Sequence, residues 1–143
     1  MTFYKRKVCY YETDKMGITH HSNYVRWMEE ARIDFIGKVG YGYDKLEEQG
    51  LISPVIGLEC KYVRPTTFND EVEISVHVHE FRGVKLVLSY SMKNVKTNEL
   101  VFEGKSMHCF VDRDGMPTIL RRGFPELDQA LREEAAKEAQ NGR

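Results

Sequence analysis

The segment from residue 22 to residue 38 restricts the fold of this chain more than any other. Its apolar residues recur at spacings of three and four, which is the period of a helix. Ser22 is the predicted N-cap of this helix. The main apolar face consists of Tyr24, Trp27, Met28, Ala31, Phe35 and Val39. Val25, Ile33 and Ile36 widen that face beyond the stripe of an ordinary surface helix, so we expect much of the helix to be buried.

Residues 52 to 119 alternate apolar and polar side chains, as strands do. Three consecutive segments of this kind predict an antiparallel sheet with one buried face, and the short joins between them suit hairpins. A further strand is predicted at 3–11, and a surface helix from Pro125 to about residue 139. One antiparallel sheet beside a helix that is apolar on most sides predicts an α+β fold in which the sheet wraps around the helix.

The bulk composition argues against several classes of protein. With 143 residues, of which 41% are apolar and 30% charged, the chain is expected to form one globular domain. The formal charge of −1 argues against a nucleic-acid-binding surface. No apolar run approaches the roughly 18 residues of a membrane span, and the first residues lack the apolar core of a secretory signal. Cys9, Cys60 and Cys109 have no paired spacing, so we expect buried free thiols, no metal site and a cytoplasmic protein.

The loop from residue 12 to residue 21 concentrates reactive residue types just before the long helix. A helix N-terminus at His21-Ser22 offers unpaired backbone N–H groups and the positive end of the helix dipole, which can stabilise an oxyanion in acyl transfer. Asp14 could attack a carbonyl or deprotonate a water molecule, and Gly17 would let the loop turn back towards the helix. An aspartate at such a place is otherwise a cap or a turn residue, and the chemistry alone leaves both interpretations open.

Residues 11–27 resemble the signature of the 4-hydroxybenzoyl-CoA thioesterase-like branch of the hot-dog fold. This branch includes short-chain acyl-CoA thioesterases of the kind associated with the bacterial Tol-Pal system. The matching features are Asp14, Gly17, His21, the pair Asn23-Tyr24 and Trp27. The resemblance implies a single domain over residues 1–143, in which five or six antiparallel strands wrap around one long central helix. The predicted helix at about 125–139 would then be peripheral.

The resemblance also implies roles for residues near the loop. Asp14 takes the place of the catalytic carboxylate, and His21 takes the place whose backbone N–H polarises the thioester carbonyl. Gly17 and Tyr24 would border the substrate. Lys15 and the next residue differ from the Pro-Ala of the benzoyl-CoA enzymes, which leaves the preferred acyl group open.

Three positions outside the loop are further candidates for substrate binding. Ser53 lies where a hydroxyl approaches the substrate in this family, often from the partner subunit. Arg82 matches an aromatic-arginine turn that helps to hold the CoA phosphates, and Lys85 lies near it in the sequence.

The implied activity is hydrolysis of an acyl-CoA or aroyl-CoA to a carboxylic acid and free CoA. CoA is part of the substrate, and no separate cofactor or metal is needed. The family implies a homodimer or homotetramer with active sites at the dimer interface. Two alternatives stay open: a hot-dog enoyl-thioester hydratase or dehydratase, and a non-catalytic acyl-CoA-binding domain. Water addition to an enoyl-CoA would distinguish the first, and binding without release of thiol the second.

Overall fold

Five antiparallel strands form one sheet in the order β1-β3-β4-β5-β2. The computed structural model describes residues 1–40 and 42–141. Along the chain the elements are β1 (Thr2–Lys7), α1 (Ser22–Lys38), α2 (Tyr43–Glu48), β2 (Val55–Tyr62), β3 (Glu71–Phe81), β4 (Lys85–Asn94), β5 (Leu100–Cys109), α3 (Leu120–Gly123) and α4 (Pro125–Asn141).

Helix α1 packs its wide apolar face against the concave side of this sheet. Trp27, Ala31 and Phe35 are fully buried there, as the periodicity predicted, although Ile33 is exposed. Alternate residues of β3 and β4 face the helix, so the sheet supplies a continuous apolar surface along its length. The prediction of an antiparallel sheet wrapped around a long helix in an α+β hot-dog arrangement is confirmed, with five strands.

Strand β2 departs from the expectation of one buried face. It pairs only with β5 at the edge of the sheet, and nearly all its side chains are exposed. Cys60 on this strand is exposed, while Cys9 and Cys109 are half-buried, so the prediction of buried thiols is wrong. The alternating pattern is present in the sequence, but the described residues leave most side chains on both faces of β2 exposed.

The segment before α1 also differs from its prediction. The strand expected over 3–11 ends at Lys7, and a short 3-10 turn follows at Tyr10–Glu12. The Glu12 side chain accepts a hydrogen bond from the Cys9 amide at 2.8 Å, which turns the chain away from the sheet. Ser22 is the first helical residue rather than the N-cap, and the residue at the cap position is His21.

Within residues 1–40 and 42–141 the longest helices are α1 and α4, each of 17 residues. None of the helices in these ranges combines the length and the apolar character that a membrane span requires.

Candidate active site

A cavity of about 290 Å³ opens between the loop at Asp14, the start of α1 and the end of β2. Its lining includes Asp14, Thr19, His21, Tyr24, Tyr62 and Arg64. Asp14 and His21, which are seven residues apart in the sequence, therefore line the same cavity. The Tyr62 ring stands 5.6 Å from the Tyr24 ring and 6.2 Å from that of His21, so aromatic side chains form one side of the cavity.

Asp14 begins a tight five-residue turn that ends at Ile18. The Asp14 amide donates to the Ile18 carbonyl, and the Gly17 amide donates to the Asp14 carbonyl, both at 2.9 Å. Gly17 has a φ of +81°, a left-handed conformation that favours glycine and lets the loop reverse here. The Met16 amide donates to Asp14 Oδ1 at 2.8 Å. Within the described residues Oδ2 accepts no hydrogen bond, so one oxygen anchors the turn and the other is available.

Among the described residues, the N-cap residue of α1 has a backbone amide without an acceptor. The Ser22 amide donates to His20 Nδ1 at 3.2 Å, and those of Asn23 and Tyr24 donate to the carbonyls of His20 and His21. Across the part of the chain that the structure describes, the His21 amide has no such acceptor. A free N–H at the positive end of a 17-residue helix can donate to a polarised carbonyl oxygen.

A buried chain of hydrogen bonds joins the hydroxyl groups of Tyr24, Thr66 and Thr19 beside the cavity. Tyr24, only 3% exposed, shares a 2.9 Å hydrogen bond with the hydroxyl of Thr66, and Thr66 shares one of 2.7 Å with Thr19. Burial raises the pKa of Tyr24 above its ordinary value, so its phenol stays neutral. Because this hydroxyl is already paired, Tyr24 presents an aromatic wall rather than an acid or base.

The sequence did not indicate Thr66 and Tyr62 as site residues. Both come from the segment that ends β2 and crosses towards β3, about forty residues after the loop. A bridge between Ile18 and Thr67 brings that segment against the turn. No local sequence pattern predicts such a pairing, because the pairing depends on how the sheet curls around α1.

The other predicted binding residues lie elsewhere in the single chain. Ser53 borders a separate small cavity together with Arg32. Arg82 is exposed at the turn between β3 and β4, where its Nε lies 2.7 Å from Glu80 Oε1, and Lys85 is exposed at the start of β4. The structure thus brings together Asp14, His21 and Tyr24 but not these three, whose binding roles stay predictions.

The histidines do not converge on a metal position. The ring centroids of His20 and His21 lie 4.2 Å apart with the ring planes tilted by 30°. His20 Nδ1 is hydrogen-bonded to the Ser22 amide and hydroxyl. Within the described residues, no group of three histidine, cysteine or acidic side chains is arranged to hold a metal ion.

Comparison with known proteins gives consistent similarities. The family model of the thioesterase-like superfamily matches residues 8–134. The chain is 33% identical over 125 residues to "Putative acyl-CoA thioesterase YneP" of Bacillus subtilis, covering 87% of this chain and 90% of that protein. It is also 35% identical over 116 residues to a protein of Aquifex aeolicus named as an esterase, covering 81% and 89% of the two chains.

A solved structure agrees over almost the full length. The crystal structure of a DHNA-CoA thioesterase from Staphylococcus aureus superposes with a TM-score of 0.91 and 31% identity. The match covers 99% of this chain and 95% of that one, so it includes the Asp14 turn, α1 and all five strands.

Proposed function

Since the chain belongs to the thioesterase-like superfamily, we propose that it hydrolyses acyl-CoA or aroyl-CoA thioesters to a carboxylic acid and free CoA, with Asp14 and the His21 amide as the reacting groups. The observation that carries this proposal is their position on one cavity. Among the described residues, Asp14 has an unpaired carboxylate oxygen there, and the His21 amide is an unpaired donor at a helix N-terminus. Acyl transfer requires this combination of a base or nucleophile with an oxyanion donor.

The proposed reaction places the thioester carbonyl between the two groups. Its oxygen accepts the His21 N–H, and the helix dipole stabilises the negative charge that develops on it. Asp14 either removes a proton from the attacking water or attacks the carbonyl carbon to form an anhydride that water then cleaves. In both routes the carbon–sulfur bond breaks, and the CoA sulfur leaves as a thiolate that takes up one proton. Label found in Asp14 after a single turnover in ¹⁸O-labelled water would establish the anhydride route with water attack at the Asp14 carbonyl carbon, because the general-base route delivers label only to the product acid.

Aromatic acyl groups fit the wall formed by Tyr24 and Tyr62. Flat rings pack against aromatic faces and edges at the spacings seen here, and linear acyl chains pack against the same apolar surface. The similarity to a DHNA-CoA thioesterase supports testing aroyl esters first. CoA enters as part of the substrate, so the proposal requires no separate cofactor.

We further propose a homodimer, or a pair of such dimers, that meets through β2. This edge strand exposes Val55, Ile56 and Leu58, and an unpaired edge with apolar side chains favours pairing with a second strand. Ser53 would then contact the substrate of a neighbouring subunit, and Arg82 and Lys85 would help to hold the CoA phosphates. Light scattering during size-exclusion chromatography tests the oligomer. Because the described cysteines are all free, we also propose that the enzyme works in the cytoplasm.

The decisive experiment measures free thiol released from a panel of short acyl-, aroyl- and enoyl-CoA esters. We expect Asp14→Ala to lower turnover by about 10²- to 10⁴-fold while the protein stays folded. Asp112→Ala is the matched control, because its carboxylate also accepts a hydrogen bond from an amide two residues later, away from the cavity. Retention of most of the activity in Asp14→Ala would contradict the proposed role of Asp14. Water addition to the enoyl ester would favour the hydratase, and binding without thiol release would favour a binding domain.

A further inference from the structure

Glu12 is a buried carboxylate. The sequence pattern did not predict its burial, and the proposed reaction gives it no role. Its side chain is only 3% exposed, and each oxygen accepts two hydrogen bonds. Oε1 accepts from the Cys9 amide at 2.8 Å and from Arg6 Nη1 at 2.9 Å. Oε2 accepts from Trp27 Nε1 at 2.9 Å and from Arg6 Nη2 at 2.8 Å. One side chain therefore joins β1, the backbone at Cys9 and the second turn of α1.

The backbone carbonyl of Glu12 makes a second set of contacts. It accepts the His20 amide at 2.9 Å and the Asn23 side-chain amide at 2.9 Å. Asn23 is buried and also donates to the His20 carbonyl, so the entry to α1 is tied to the loop at this point. Both sets of contacts belong to one residue, which fixes the loop to the helix through its side chain and its main chain together.

Both proposed reacting groups belong to residues that lie next to these contacts in the sequence. Asp14 follows Glu12 by two residues, and His21 follows His20 by one. A shift of the loop relative to α1 would therefore change the distance between the carboxylate of Asp14 and the amide of His21. Catalysis is sensitive to such shifts, since a displacement of about 1 Å can cost on the order of 10²-fold in rate.

We infer that Glu12 is a positioning residue that holds the Asp14 turn at a fixed distance from the N-terminus of α1. The inference rests on the proposed function for its effect on catalysis. In this role Glu12 does not contact the substrate, because the Glu12 carboxylate is enclosed by Arg6, Cys9 and Trp27.

The charge state of Glu12 fits this role. Burial by itself raises the pKa of a carboxyl group, but the Cys9 amide, the Trp27 indole and the Arg6 guanidinium together hold the pKa of Glu12 below its ordinary value. The carboxylate is thus ionised at neutral pH and can accept all four hydrogen bonds. A neutral amide in its place has one acceptor oxygen, so two of the donors would lose their acceptor.

The test compares Glu12→Gln with Glu30→Gln. Glu30 is a matched control, because it also accepts a hydrogen bond from Arg6, at 2.9 Å, and is bonded to β1 through Tyr4, but makes no hydrogen bond to the loop. We expect Glu12→Gln to lower kcat by about 10- to 100-fold with KM within about threefold of the wild type. Glu30→Gln should keep kcat within about twofold.

Two outcomes of the kinetic comparison overturn the inference. One is a kcat of Glu12→Gln within about twofold of the wild type, and the other is an equal loss in both variants, which would assign the effect to Arg6 alone. If Glu12→Gln does not fold, Glu12→Asp takes its place, because it keeps the charge but is shorter by one methylene. A lowered kcat with unchanged KM supports the inference, and an unchanged kcat overturns it.

A second measurement tests the contacts without relying on thioesterase activity. Trp27 is the only tryptophan, so its emission reports directly on the hydrogen bond to Glu12. We expect Glu12→Gln to shift this emission and to speed hydrogen exchange of the amides from 13 to 20 by at least about tenfold, and Glu30→Gln to do neither. Unchanged exchange in Glu12→Gln overturns the inference. A wild type that releases no thiol contradicts the proposed function instead, while the exchange result still decides whether Glu12 holds the loop.

Discussion

Two turns of this protein have the same construction but different surroundings. The turn from Asp14 to Ile18 and the turn from Asp112 to Met116 each close with a 2.9 Å hydrogen bond from the aspartate amide to the carbonyl four residues later. In each, the aspartate Oδ1 accepts an amide two residues on, at 2.8 and 2.9 Å. In each, the fourth residue is a glycine with a positive φ, +81° at Gly17 and +80° for its counterpart.

The difference between the turns lies in what stands beside them. The first turn borders a cavity with an unpaired helix amide, and a bridge from Ile18 to Thr67 joins it to the segment after β2. The second connects β5 to α3, and its residues do not line that cavity. An aspartate-glycine turn is therefore a local structure that any loop can form. Its neighbours, rather than its own geometry, make the first one a candidate active site.

The largest expected effect comes from replacing each aspartate by asparagine. The amide oxygen still accepts the turn hydrogen bond, so both variants should keep their stability within about 0.5 kcal/mol. Asp14→Asn should lower kcat by about 10²- to 10⁴-fold, because the base or nucleophile is lost, while Asp112→Asn should not change it. Thermal unfolding and the free-thiol assay measure the two quantities. Equal kinetic effects of the two variants would show that the comparison is wrong.

The next effect concerns the buried support of the first turn. Thr66→Val removes the hydroxyl that Tyr24 and Thr19 share, and leaves buried groups unpaired. We expect a loss of about 1–3 kcal/mol in the free energy of unfolding, measured with urea. Thr118→Val is the counterpart near the second turn, where the threonine is half-buried and makes no side-chain hydrogen bond within the described residues. It should change stability by no more than about 0.5 kcal/mol. Equal losses of unfolding free energy in Thr66→Val and Thr118→Val would show that the first turn has no special buried support.

The two glycines allow a test in which stability and activity separate. A methyl group at Gly17 or Gly115 meets no atom within 4 Å, so only the positive φ opposes it. Each change to alanine should therefore cost about 1–2 kcal/mol of stability, and the two costs should agree. Only Gly17→Ala should also lower kcat, since it alters the turn that carries Asp14. A fall in kcat for Gly115→Ala would indicate that the second turn also takes part in the reaction.

The smallest expected effect is that of the His21 side chain. Because the proposal uses its backbone N–H, His21→Ala should keep kcat/KM within about threefold of the wild type. His20→Ala is the informative neighbour. It removes the Nδ1 that accepts the Ser22 amide, and should cost about 1 kcal/mol of stability, as the loss of a helix cap does. A tenfold or larger loss in His21→Ala would assign a chemical role to the imidazole.

The sequence determined the elements that depend on local interactions. Its 3.6-residue periodicity placed α1 at residues 22–38, as the structure has it, because the apolar face and the glycine beyond it are read from neighbours in the chain. The family resemblance singled out the aspartate, glycine and histidine of the loop as a candidate site. Asp14, Gly17 and His21 lie within eight residues, and a tight turn can bring them together without help from distant segments.

The tertiary structure decided whatever depends on contacts between distant segments. Strand β2 reads as half-buried, yet its place at the sheet edge exposes it, because strand order cannot be read from alternation. Tyr62 reaches the cavity, and Thr66 reaches the buried hydroxyls of Tyr24 and Thr19, only because the sheet curls around α1. Glu12 reads as a loop residue in the sequence, but it becomes the buried acceptor for groups from β1 and α1. The sequence singled out the loop as a candidate site, and the packing of the sheet on the helix determined what surrounds it.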